Sequence, residues 1–217
     1  MNALAKPIVF AGPSLFPLTN YSERWDVEFF PPVARDGINR IVRNIARPGT
    51  LVIADGVFHA SLSVGHAEIR NAIDLGWKVH GVSSMGAIRA AEMMHLGMIG
   101  HGSVFRMFVD DDNFADDEVA LLHTPAPPYY PGSEPLVHIR AFLKKLNADG
   151  TISADAYLNI LANLKSSWFG YRTLELVTQQ LCRYISISES QVEEAISNFR
   201  IKHFDLVDLL NRWPSNE

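Results

Sequence analysis

Between Pro7 and His123, short apolar runs alternate with amphipathic stretches, and each run stops on Gly, Asp or Ser. Ile8-Val9-Phe10-Ala11 ends at Gly12-Pro13-Ser14, Leu51-Val52-Ile53-Ala54 at Asp55-Gly56, and Lys78-Val79-His80-Gly81-Val82 at Ser83-Ser84. Continuous, β-branched runs of this length predict strands of a parallel sheet buried on both faces. Val27-Glu28-Phe29-Phe30 precedes Pro31-Pro32 and reads as an edge strand, where proline is tolerated. Ile38, Ile41, Val42 and Ile45 recur at helical spacing until Pro48-Gly49. A second helix is predicted from about Leu62 to Leu75, with Gly76 at its end. A third starts at about Gly86, where Ala87, Ala90 and Ala91 permit close approach to a sheet.

Thr124-Pro125-Ala126-Pro127-Pro128-Tyr129-Tyr130-Pro131-Gly132 cannot continue a helix or a central strand. Beyond it the period is helical: Ser133 as N-cap with Pro135 near N1, then Leu136, Ile139, Leu143 and Leu146 on one face. Ser153 starts another helix carrying Tyr157, Ile160, Leu161 and Leu164. Further helices are expected from about Arg172 to Tyr184, after the capping box Ser188-x-x-Gln191, and from about Phe204 to Leu210. The fold class expected is α/β: a small doubly wound parallel sheet over residues 1–124, a Pro-rich linker over 125–134, and a helical domain over 135–217.

Composition narrows the function classes. An apolar fraction of 47% in 217 residues excludes disorder. The lone Cys182 closes no internal disulfide and builds no cysteine zinc site. Without a leader segment or an apolar run of about 18 residues, a soluble cytoplasmic protein with no membrane contact is expected. A net charge of −5 argues against nucleic acid as the main ligand.

An open parallel sheet offers its ligand crevice at the carboxyl ends of its strands, so Ser14, Asp55 and Ser84 are expected along one rim. Ser84 ends a strand and enters a helix through Met85-Gly86, where free backbone N–H groups converge. The backbone of Met85 and Gly86 is therefore the candidate oxyanion hole, at about 3 to 4 kcal/mol per donor. The spacing departs from Gly-x-Ser-x-Gly, and capping of the helix is the competing role for Ser84. Ser14 reads equally as a turn residue, and Asp55-Gly56 as a turn whose carboxylate caps the next helix.

No His falls in a triad pattern; His66, His80, His95 and His101 read as solvated or partly buried. A lysine held neutral can replace histidine as the base. Lys165, before the aromatic stretch Ser166 to Thr173, is the candidate, although a lysine at a helix C-terminus also simply suits the macrodipole. The acidic stretch Asp110-Asp111-Asp112 with Asp116-Asp117-Glu118 lacks calcium-loop spacing and reads as a solvated or protein-binding surface. No metal is expected, and Gly97-x-x-Gly100-x-Gly102 is rejected as a dinucleotide fingerprint.

The same rim carries a resemblance. Val9-Phe10-Ala11-Gly12-Pro13-Ser14-Leu15, Pro31 to Ile38, Ile53-Ala54-Asp55-Gly56-Val57-Phe58, His66-Ala67-Glu68-Ile69 and Ser83 to Glu92 resemble the TfuA-like proteins. So do Gly97 to Gly102 and Asp116 to His123, with weaker matches at Lys165 and Arg172-Thr173. The resemblance adds His66, Glu68, Arg89, Glu92 and Arg172 as rim candidates.

It implies a partner of a YcaO enzyme, which itself uses ATP, in peptide backbone thioamidation during biosynthesis of ribosomally made, modified peptides. It further implies binding of a ThiS-like sulfur carrier, hydrolysis of its thiocarboxylate through a Ser-Lys pair, and help in binding the precursor peptide. The pair is carried to Ser84 and Lys165, with Ser14 as the rival serine, and no cofactor is implied for this chain. Ala67 stands where the family pattern has a basic residue, which opens the alternative of a non-catalytic adaptor that docks the YcaO enzyme, the carrier and the peptide.

Overall fold

The computed structural model describes residues 6–45, 47–58 and 61–213. Its contacts divide the chain into two compact units. One runs to Phe114 and includes Ala126–Tyr129 and the segment from Lys202; the other comprises Ala115–Pro125 and Tyr130–Ile201.

In the first unit, β1 (Ile8–Phe10), β2 (Glu28–Phe30), β3 (Thr50–Ile53), β4 (Lys78–Gly81) and β5 (Ile99–Gly100) form one parallel sheet in the order β2-β1-β3-β4-β5. The α/β expectation and all four anticipated strands are present, with β2 at the edge. β5 is an addition: two residues among glycines are too few to show a period.

Alternation along the strands decides what each face buries. Ile8, Phe10, Leu51, Ile53 and Val79 face a core shared with α1 (Gly37–Asn44), α2 (His66–Asp74) and α3 (Met85–Met93). Val9, Ala11, Val52, Ala54 and Val82 face the other side. The β1–β2 connection over that side holds only short 3-10 turns at Pro13–Leu15 and Tyr21–Glu23, so no crossover helix covers it. Leu206, Leu209 and Leu210 of α9 (Ile201–Leu210) do so instead. This is why α9 belongs with the sheet, whereas the sequence boundary grouped it with residues 135–217.

A further helix, α4 (Gly102–Asp110), was hidden in the sequence between glycines and the acidic run. Its free N-terminal amides are taken by Asp205 of α9: Ser103 N and Val104 N donate to the carboxylate at 2.8 and 2.9 Å. A Cβ on Gly102, which has φ +89°, would collide with that carboxylate.

In the second unit, α5 (Leu136–Ala148), α6 (Ala154–Ser166), α7 (Leu174–Leu181) and α8 (Glu189–Ser197) pack around Ile139, Leu143, Ile160, Leu164, Val177 and Ile196. Ser153 caps α6 through Ala156 N at 3.1 Å, and Ser188 with Gln191 forms the expected capping box. Ser133 does not cap α5. Pro135 holds the N-cap position, and Ser133 Oγ instead accepts from Leu122 N at 2.9 Å. The Pro-rich segment is shared: Ala126–Tyr129 belongs with the sheet, and Pro125 and the residues from Tyr130 belong with the helices.

Candidate active site at the strand exits

The strand order reverses between β1 and β3, which puts the crevice of such a sheet where Gly12-Pro13-Ser14 and Asp55 leave it. Asp55 Oδ2 accepts from Gly12 N at 2.8 Å and Ser14 N at 2.9 Å, and Asp55 Oδ1 accepts from Ser14 Oγ at 2.8 Å. Both residues are 1% exposed. Ser14 is therefore fastened to the carboxylate, a turn lock rather than a loose hydroxyl. His203 of α9 lies with Nδ1 3.1 Å from Ser14 O. A carbonyl only accepts, so Nδ1 carries the hydrogen. Tyr129, 4% exposed, packs near Gly12; burial first, then Tyr21 and Asp55, push its phenol pKa up.

The β4–α3 turn is arranged differently. Ser83 has φ +66°, a left-handed conformation costly for a residue with a Cβ, and its Oγ donates to Lys202 O at 2.6 Å. Ser84 occupies the N-cap position of α3, yet its side chain makes no capping bond. Among the described residues its hydroxyl has no hydrogen-bond partner, although Ser84 is only 2% exposed.

Of the two amides expected to be free, Gly86 N is not: it donates to Ala54 O at 3.2 Å, as does Ser84 N. The close approach of α3 to β3 enforces this, since a Cβ on Gly86 would collide with the Ile53 carbonyl. Met85 N is left without an acceptor among the described residues. One free amide and one free hydroxyl thus sit side by side at a helix N-terminus.

The other rim candidates have structural employment. Glu68, 3% exposed, accepts from Gly65 N, Asp36 N and Ile38 N at 2.8, 3.1 and 3.2 Å, joining the starts of α1 and α2. His66 Nε2 lies 2.8 Å from Glu92 Oε2, which also pairs with Arg89 Nη1 at 2.6 Å. Arg89 Nε donates to Val64 O at 3.1 Å.

Within the second unit, Arg172 is fully buried and donates to Leu164 O, Asp117 O and Ser167 O at 3.0, 2.8 and 3.1 Å, and to the Asp117 carboxylate. Lys165 Nζ lies 3.5 Å from Glu118 Oε1, with 46% of its side chain exposed. Glu118 is completely buried and pairs with Arg140 at 2.6 Å. Lys165 is thus half-exposed and paired with a carboxylate. The acidic stretch is likewise not one solvated surface, because Asp117 and Glu118 are drawn into these ion pairs while Asp110 to Asp112 stay exposed. No cluster of three metal-ligating side chains occurs among the described residues.

Two features escaped the sequence reading. Positive φ at Ser83 has no side-chain signature. Lys202, His203 and Asp205 reach the rim and α4 from a helix more than a hundred residues away, whose burial alternation was masked by three charged or polar residues in five positions.

A family model described as TfuA-like protein matches residues 55–173. No curated protein matches the chain.

Proposed function

The chain belongs to the TfuA-like family, and from that premise we propose that it releases sulfide from the C-terminal thiocarboxylate of a ThiS-like sulfur carrier for a YcaO enzyme that thioamidates a peptide. The observation that carries this reading is the uncapping Ser84 hydroxyl, on a residue 2% exposed, beside the Met85 N–H that has no acceptor among the described residues. A serine retained for capping would bond to its own helix, and Ser84 does not.

In the proposed reaction a basic side chain takes the Ser84 proton as Oγ attacks the thiocarboxylate carbon. The developing oxyanion accepts from Met85 N–H, the base returns the proton to sulfur as the C–S bond breaks, and hydrosulfide leaves. Water then hydrolyses the ester, returning the carrier carboxylate and the serine hydroxyl. The extended tail of a ubiquitin-fold carrier is the kind of substrate that reaches a serine only 2% exposed. Asp55 and Ser14 hold the neighbouring loop, and ATP is used by the YcaO partner, so no cofactor is assigned here.

Sulfide release from a thiocarboxylated ThiS-like carrier by the protein and by Ser84→Ala tests the reading. Release by the former and none by the variant is expected. The second reading is a non-catalytic adaptor that docks enzyme, carrier and precursor peptide. The exposed aromatic pair Trp168 and Tyr171, with ring centroids 5.3 Å apart, favours it as a docking surface. Support of thioamidation by Ser84→Ala when sulfide is supplied, with no release from either protein, would establish the adaptor.

A further inference from the structure

A cavity of about 350 Å³ opens between β2 and α1, outside the carboxyl end of the edge strand. Phe30, Pro32, Val33 and Ile41 give it apolar walls, and Arg35 and Arg40 are its charged residues. That size and lining suit one large side chain of a ligand rather than a whole cofactor. Arg35 Nε donates to Ser63 O at 2.8 Å, and 56% of the side chain is exposed. Arg40 is 74% exposed, and the Asp36 carboxylate with which it pairs lies 3.7 Å away, beyond hydrogen-bonding distance. Arg43 stands 3.8 Å from the same carboxylate. Between residues 35 and 47 four arginines accompany one acidic residue, in a chain whose net charge is −5. The cavity is thus an apolar recess with a cationic margin, complementary to an apolar side chain that has carboxylates beside it.

One wall of the recess leads to the serine turn. Val33 N donates to Asp55 O at 2.9 Å, and Val33 O accepts from Val57 N at 3.0 Å. Gly56, between those two, packs on Met85: a Cβ there would stand 2.6 Å from Met85 Cγ. Met85 follows Ser84 and carries the amide that has no acceptor among the described residues. A single backbone segment therefore separates Val33 from Met85, roughly 10 Å at the ~4.8 Å spacing of neighbouring strands. An extended chain covers that distance in about three residues at ~3.3 Å each.

We propose that this cavity receives an apolar side chain of an extended, acidic peptide tail, about three residues before the carboxyl end that meets Ser84, while Arg35 and Arg40 pair with acidic residues that precede the anchor. The inference rests on Ser84 being the group that meets that end. The recess then decides which tails are accepted. The anchor fixes the register, since sliding the tail by one residue withdraws it, and the arginines reject cationic tails.

The test is the affinity of the fluorescein-labelled peptide Glu-Asp-Glu-Asp-Leu-Gly-Gly, measured by anisotropy beside a peptide with Ser in place of Leu. The proteins are the wild type, Arg40→Glu, Ile41→Phe and Arg70→Glu. Arg40 is exposed, so its replacement leaves the core untouched. Arg70→Glu makes the same charge change on α2. The wild type should bind the leucine peptide about tenfold more tightly than the serine peptide. Arg40→Glu should lose about tenfold, Arg70→Glu should bind as the wild type does, and Ile41→Phe, which fills the recess, should lose the preference for leucine. No binding by the wild type, equal affinity for the two peptides, or equal losses in Arg40→Glu and Arg70→Glu would each overturn the proposal.

The leucine peptide made as its C-terminal thiocarboxylate separates this inference from the proposed function. Moving the leucine two positions further from the end should slow sulfide release about tenfold, and release indifferent to that shift would overturn the register. Binding that follows the leucine and Arg40 with no sulfide released from peptide or carrier would keep the recess and remove the thiocarboxylate reading. Sulfide release that ignores both the leucine and Arg40→Glu would keep the reaction and overturn the recess.

Discussion

Asp55 holds Ser14 by two hydrogen bonds, from its backbone N–H and its hydroxyl, and Gly12 by a third from its N–H, all between 2.8 and 2.9 Å. The carboxylate at the end of β3 therefore shapes the loop at the end of β1, across the point where the strand order reverses. The serines at the exits of β1 and β4, on either side of β3, have opposite characters: Asp55 satisfies the Ser14 hydroxyl, and the Ser84 hydroxyl caps nothing. Replacing Asp55 with Ala orphans two buried amides and should cost about 3 kcal/mol in urea unfolding. Ser14→Ala should cost about 1 kcal/mol and leave sulfide release intact, and loss of release in that variant at unchanged stability would move the nucleophile to Ser14.

Gly86 tests the elbow from its backbone side. A Cβ there meets the Ile53 carbonyl, and one on Gly81 closes on Ala90 at 2.8 Å. Gly86→Ala should push α3 off β3, lower stability by about 2 to 3 kcal/mol and abolish sulfide release together with it. A variant as stable and reactive as the wild type would show that the turn does not depend on this approach.

Arg172 is a different kind of lock. Its guanidinium closes the C-terminal carbonyls of α6 onto the 3-10 turn at Asp116–Glu118. Arg172→Met removes five donors and leaves the Asp117 carbonyl and the α6 end unsatisfied. A loss of about 3 kcal/mol is expected by calorimetry, with Lys recovering only a fraction because it cannot reach several acceptors at once.

Acid should weaken the sheet unit through a histidine pair. His80 Nδ1 and His101 Nε2 are 2.7 Å apart with rings stacked at 17°, and Trp213 lies edge-on to His80. Burial first, then the charges of His101, Arg212 and Lys78, lower the His80 pKa from 6.5 to about 4. Burial and Arg212 lower that of His101 too, against Asp208. Between pH 6.5 and about 4 the unfolded chain binds a proton that the folded one refuses. This contribution to stability is thus whole above pH 6.5 and is lost as pH falls toward 4. Urea midpoints measured from pH 7.5 to 4 should drop in the wild type and drop less in His80→Phe. Parallel curves would assign the acid sensitivity elsewhere.

Much of the fold was legible because its causes are local. Ile8 to Ala11 and Leu51 to Ala54 are apolar on both parities, as strands of a sheet covered on both faces are, and Ser188-x-x-Gln191 specifies its cap within four residues. Ser84 was legible as a strand exit entering a helix. Its freedom from capping was not, because a side-chain torsion depends on neighbours that the local sequence does not name.

By itself, the sequence determined the parallel strands, the helical period beyond the prolines, the family, and the rim on which Ser14, Asp55 and Ser84 stand. The strands, the helical period and the rim follow from periodicity and chain direction, which are properties of neighbours along the chain, and the family from the motifs it shares. Only the tertiary structure decided that Asp55 occupies Ser14, that Ala54 consumes the Gly86 amide, that Glu118 holds Lys165, and that α9 returns to the sheet with Lys202 beside Ser83. Each is a contact between residues far apart in sequence. The last exists because Leu206, Leu209 and Leu210 of α9 join Leu15, Trp25 and Val27 of the β1–β2 connection over one face of the sheet, and the helix brings Lys202 along.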